Sequence, residues 1–307
     1  MTVKTQTLST TEMQAAEARS DRWKTGLALL SVYVIWGSTY LAADIAVETI
    51  PAFMMTSVRF LLAGVGMYLF LLARGVPNPT REQWRNGLLT GAVMLGAGTG
   101  GVAYAEQMGV SSGLAALAVA AMPLWAALSS GLWGHWPSKS EWLGLAVGMS
   151  GVVLLNMEHS MLSSPVGAIA VILAPMGWAL ASIWSKHVNL PGGLMTTAVQ
   201  MIGGCIATAL ISIVMGERLA EMPTMRSVLA MLYLVTFGAM VAFSAYTYLL
   251  QKVRPALATS YAYVNPIVAV FLGVLLASET ITGFGIVAMV VILGGVALVA
   301  VGKTKKA

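Results

Sequence analysis

The chain has 307 residues, of which 58% are hydrophobic and only 9% charged, with a formal net charge of +5. Soluble domains carry roughly 25% charged residues, so a soluble globular fold is excluded and lipid must be the solvent for most of this surface. The excess of Lys and Arg belongs to the loops of a membrane protein and does not mark a nucleic-acid partner. The single cysteine, Cys205, lies inside an apolar run, so no internal disulfide forms.

Residues 1–24 are polar and mixed in charge and read as a cytoplasmic tail. Ten apolar stretches follow, at 25–47, 52–73, 84–106, 111–132, 140–156, 166–187, 193–216, 227–250, 254–277 and 283–301. Each is close to the roughly 20 residues that a helix needs to cross the hydrocarbon, the fifth being short. Unbroken apolar runs exclude a β-barrel, whose strands would alternate. Proline and glycine mark the joints, as at Pro51, Pro77, Pro191 and Gly192. The fold class is an all-α polytopic membrane protein with ten transmembrane helices.

Charge sets the orientation. With the N-terminus inside, the outer loops hold only Arg218 and Arg226, and Arg59 is within a span. The other fourteen of the 17 basic residues then fall on the inner side. Both termini are therefore expected in the cytoplasm, and Glu158 and Glu279 outside.

The two halves resemble each other. Trp36 in the first span matches Trp178 in the sixth. The run Phe53–Arg59 matches Leu194–Gln200 and sets Arg59 opposite Gln200. Gly113-Leu114-Ala115-Ala116 with Pro123 matches Ala256-Leu257-Ala258-Thr259 with Pro266, and Gly151–Leu154 matches Gly295–Leu298. Ordered landmarks at a near-constant offset indicate a duplication, with a first repeat at 25–156, a linker at 157–165, a second repeat at 166–302 and a tail at 303–307. An odd number of spans per repeat reverses the second half, and such a 5+5 inverted repeat surrounds a central cavity in many secondary transporters.

Trp36-Gly37-Ser38-Thr39-Tyr40, Arg59-Phe60 and the run from Pro255 to Pro266 resemble the EamA branch of the drug/metabolite transporter superfamily. The likeness extends over nearly all of the chain from about residue 25. It implies a bacterial inner-membrane permease of ten helices that exports amino acids or similar metabolites by alternating access, since permeases of this kind include an aromatic amino-acid exporter. The motifs do not specify the substrate.

Several residues could carry that chemistry. Pro123 and Pro266, near the middle of the fourth and ninth spans, are expected to break their helices and free backbone carbonyls at the site. Tyr261, Tyr263 and Asn265 lie beside Pro266, and Asn265 corresponds to apolar Met122 in the first repeat. Trp36, Tyr40 and Trp178 sit too deep for the interfacial belt and are candidates for the cavity wall. Arg59 and Asp44 are expected either to form an ion pair or to leave Arg59 for a substrate carboxylate. Glu106, at the end of the third span, reads as solvated or turn-capping, with proton coupling as the sharper alternative.

Other chemistries lack their residues. Gly302-Lys303-Thr304 is not a phosphate loop, because Ala297 replaces the required glycine. His135, His159 and His187 have no metal spacing. No enzyme, cofactor or metal site is expected. The partners are the lipid bilayer and a small-molecule substrate, with no nucleic acid, and a monomer is compatible with this reading. Sugar phosphates or nucleotide sugars would need several cations, where the spans offer Arg59. A channel would need a polar path or a charged ring.

Overall fold

In lipid no water bonds the backbone, so each apolar run must satisfy its own peptide groups and folds as a helix. The computed structural model describes residues 23–155, 164–252 and 261–304, and no strand occurs among them. Helix α1 is Trp23–Val47, α2 is Ala52–Ala73 and α3 is Arg81–Gln107. Helix α4 spans Ser112–Trp133, α5 Lys139–Leu155, α6 Pro165–Trp184 and α7 Leu194–Val214. Helix α8 joins Met225–Tyr233, Leu234–Val241 and Ala242–Lys252, α9 is Tyr261–Ala277 and α10 is Gly283–Thr304.

Seven helices (α1–α4 and α6–α8) are long and apolar enough to cross a membrane. Helices α9 and α10 contribute the shorter apolar stretches Val264–Ala277 and Gly283–Gly295, and α5 has 17 residues. Large apolar side chains lie exposed along the outside of the bundle, Val214 at 85% and Leu276 at 64%, where lipid tails replace water.

The packing repeats itself. Helix α2 packs chiefly against α7, and α5 against α10. Helix α3 packs on α6 and α7, and correspondingly α8 packs on α1 and α2. Helix α4 lies between α6 and α9, and α9 between α1 and α4. The pairs α2/α7 and α5/α10 therefore sit outside a ring of α1, α3, α4, α6, α8 and α9. The α5/α10 contact is backbone to backbone, since a Cβ at Gly295 would collide with Gly148. Small residues allow this approach, which dispersion then rewards.

Helix ends are capped across the halves. Helix α2 begins at Pro51 with no side-chain cap of its own. The Glu217 carboxylate, from beyond α7, accepts from the backbone N–H groups of Phe53 (3.1 Å) and Met54 (2.8 Å), and Gln107 Oε1 accepts from Ala52 (2.9 Å). At α4 the Glu279 carboxylate accepts from Ser112 N (2.9 Å), Ser112 Oγ (2.6 Å) and Gly113 N (3.1 Å). A carboxylate here meets both the orphan donors and the positive end of the helix dipole.

One of the two expected midplane breaks needs correction. Helix α4 does break, with Ser112–Val119 ending before a new start at Met122–Ser130 that carries proline in its first turn. Helix α9, however, runs continuously through Pro266. A helix can absorb one missing N–H by bending, so the matched prolines do not give matched breaks. The matched irregularity is elsewhere: α3 and α8 each widen to π geometry, at Ala92–Thr99 and Leu234–Val241. A further π turn in α1 covers Val32–Trp36.

Candidate functional site

A cavity with about 100 Å³ open to the centres of water molecules lies inside the ring. One water needs roughly 10–15 Å³ on this measure, so the space suits a small organic solute. Its wall is mostly apolar and aromatic. Trp36, Tyr40, Arg59, Met122, Trp178, Tyr261 and Asn265 all reach it, as sequence reasoning expected. Pro266 lies in a narrow recess beside it, with Tyr40, Met122 and Asn265. The side chains of Pro123 and Tyr263 lie outside the described residues, as do residues 253–260 with the start of the Pro255–Pro266 motif.

Trp36 anchors the aromatic wall. Its Nε1 donates to the carbonyl of Gly238 (3.1 Å), which lies in the π stretch of α8. Its ring meets Phe243 at 5.1 Å and 73° and Tyr261 at 4.8 Å and 76°. Such edge-to-face pairs contribute roughly 0.5–1.5 kcal/mol each beyond their buried area. Trp178 takes the related place in the second half, against Gly98 in the π stretch of α3, with its ring 6.4 Å from Phe243. Each central tryptophan thus rests on the widened helix of the opposite repeat.

The polar groups are few and several are unmatched. Arg59 is 6% exposed and makes no hydrogen bond or ion pair among the described residues, and its buried Nε is without a partner. Asn265 is 4% exposed with an unpartnered Oδ1. Buried polar atoms are rarely left so, and an unpaired buried charge costs several kcal/mol. The repeat-related Gln200 is also buried, but it is satisfied: Nε2 donates to Thr90 Oγ1 (3.2 Å) and Ser185 Oγ (3.1 Å). The unsatisfied donor therefore sits in one half of the cavity only.

The Asp44–Arg59 ion pair does not form. Arg59 turns toward α8, its guanidinium close to Gly238 and 5.3 Å from the Phe60 ring centroid. Asp44 is half-buried and lies within electrostatic reach of Glu48, Glu279 and Arg226, of which Arg226 pairs with Glu48 at 3.5 Å. Depth alone suggested the contact, but the two side chains leave their helices in different directions. Glu106 also departs from its expected solvated or turn-capping place. It is 3% exposed, and neither carboxylate oxygen has a partner. Capping is done instead by the neighbouring Gln107.

Sequence reasoning missed Pro175, Phe243, Thr39 and Thr99, which also line the cavity. Pro175 was legible as a proline within the sixth span. The π stretches had no signal beyond their glycines. Among the described residues no group of three His, Cys, Asp or Glu could hold a metal ion.

A ring of apolar helices built from two repeats around a solute-sized, aromatic cavity defines a multi-pass membrane transporter. The EamA-like transporter family matches the chain twice, over residues 23–157 and 165–301, and the chain belongs to that family. It is similar to the uncharacterized inner membrane transporter YedA of Escherichia coli, at 42% identity over 276 residues, 90% of each chain. It is more distantly similar to a probable amino-acid metabolite efflux pump of Salmonella typhimurium, at 23% identity over 89% of this chain and 93% of that one. A solved crystal structure shares the fold with a TM-score of 0.61 at 21% identity, covering 90% of this chain and 97% of the other. The double match also shows that the internal resemblance is a true repeat, and the YedA likeness supports the inner membrane as its place.

Proposed function

We propose that this chain is a secondary transporter that exports amino acids, chiefly aromatic and other uncharged ones, by alternating access. The observation that carries this reading is Arg59: a buried, unpartnered guanidinium on the wall of an aromatic cavity. A solute carboxylate would supply the missing charge and accept from the guanidinium fork. Asn265 Oδ1, also unpartnered, would accept from the ammonium group, and the rings of Trp36, Trp178 and Phe243 would pack on the side chain. The likeness to the Salmonella protein, a probable amino-acid metabolite efflux pump, supports this class of solute.

Sugar phosphates and nucleotide sugars suit the cavity less well, because Arg59 is the one cation among its described lining residues. In this reading the ten helices form an inverted pair of five, at 25–156 and 166–302, joined by a periplasmic linker at 157–165. The tails at 1–24 and 303–307 and both termini are cytoplasmic.

The test is uptake of labelled amino acids into proteoliposomes holding the purified protein. Apolar walls discriminate weakly, by about 1–3 kcal/mol per methylene, so a broad panel should be accepted. Asn265→Ala should reduce transport of every amino acid alike, and Trp178→Ala should affect the aromatic ones most. Folded protein that moves none of the panel, or variants that move it unchanged, would overturn this assignment.

A further inference from the structure

The break in α4 leaves backbone carbonyls without their helical donors. Its first segment ends at Val119 and its second starts at Met122. The donor due to the Val119 carbonyl would be residue 123, which is proline and has no N–H. The N–H of Leu124, due to Ala120, goes instead to the carbonyl of Ala121 (2.9 Å). Val119 and Ala120 both line the narrow recess beside the cavity, together with Asn265 from α9. Asn265 is 4% exposed and its Oδ1 has no partner. The recess thus gathers three acceptors short of donors: two main-chain carbonyls from the first repeat and one amide oxygen from the second. At this depth in a membrane such groups demand a partner.

The recess leaves about 10 Å³ to the centres of water molecules, which is room for roughly one water-sized group. Tyr40 and Tyr261 add aromatic rings to its wall, and no charged side chain lines it among the described residues. Such a wall suits a cation. Val119, Met122 and Asn265 line the main cavity as well, so the two spaces adjoin.

We infer that this recess is the ammonium subsite of the solute site and that it selects primary amines. The inference rests on the function proposed above and deepens it. A carboxylate on Arg59 and an ammonium group in the recess belong to one neutral zwitterion, so the net charge of the site does not change and no proton moves. The ammonium group has three N–H donors, which match the carbonyls of Val119 and Ala120 and Oδ1 of Asn265. Discontinuous transporter helices hold cations on freed carbonyls in this way. A methyl group on the nitrogen would either enter a recess too small for it or remove one of the three donors. N-substituted amino acids should therefore be poor solutes even where the side chain fits. A free sodium ion would use the same oxygens, and the choice of buffer separates the two.

The test is calorimetric titration of the purified full-length protein with L-phenylalanine, N-methyl-L-phenylalanine and 3-phenylpropanoate, in sodium and in potassium buffers. A hydrogen bond to a charged group counts for about tenfold or more in affinity. N-methyl-L-phenylalanine should bind at least about tenfold more weakly than L-phenylalanine, in both buffers alike. Equal binding of the two, or L-phenylalanine binding that needs sodium, overturns this inference, leaves the proposed function standing and needs no variant to fold. Pro123→Ala returns an N–H for the Val119 carbonyl. It should weaken L-phenylalanine by about tenfold or more and leave 3-phenylpropanoate, which has no ammonium group, nearly unchanged. Equal loss of both, or no loss of either, places the ammonium group elsewhere. If no amino acid binds the unaltered chain, the proposed function fails and this inference with it.

Discussion

Arg59→Met separates a binding residue from a structural one. Methionine has a similar length and no charge. Arg59 is 6% exposed and makes no hydrogen bond or ion pair among the described residues, so in the empty protein its charge is a cost. Replacing a whole buried ion pair by apolar side chains of similar volume is neutral or stabilises proteins by up to about 1–4 kcal/mol, and removal of a buried guanidinium that has no ion-pair partner is expected to be stabilising in the same way. Solute binding should change the opposite way. A carboxylate held by two charged hydrogen bonds, at roughly 1.5–3 kcal/mol each, loses about two to four orders of magnitude in affinity. The assay is thermal unfolding in detergent with and without L-phenylalanine, with calorimetric titration alongside. The unaltered chain should be the less stable of the two when empty and should gain more from the solute. An Arg59→Met protein that is clearly less stable when empty, or that keeps its affinity, would refute the reasoning.

Three other outcomes follow from the packing and the charge pattern. Glu279→Ala strips the carboxylate that accepts three hydrogen bonds at the start of α4, and should cost about 1–3 kcal/mol in thermal or denaturant unfolding. Gly295→Val drives a side chain into the Gly148 backbone and should cost at least about 1–3 kcal/mol by the same measurement, with lower yield of folded protein. In a Cys205→Ala background, a cysteine at exposed Met222 should react with an impermeant reagent added to intact cells, and one at exposed Asn78 should not; the reverse pattern would invert the orientation.

Much of the architecture was legible in the sequence because the bilayer leaves few choices. Runs of about 20 apolar residues must be helices, and two such sets with matched tryptophans at 36 and 178 must be repeats. The depth argument brought Trp36, Trp178 and Asn265 to one level, with Tyr40 and Tyr261 close by in sequence, and the fold does gather all five on one cavity. Side-chain direction was not legible. Helical spacing gives depth and face, but the partner of a long side chain depends on which helix stands next to it. Asp44 and Arg59 share a depth and still do not meet, and Glu106 ends a span but is buried beneath neighbours contributed by α1 and α2. Glu217 and Glu279 cap helices more than 150 residues away in sequence. Composition and periodicity thus determined the solvent, the helices and the duplication, because those are local properties of the chain. Tertiary packing decided which buried charges have partners, because a charge is paired or orphaned by residues distant in sequence.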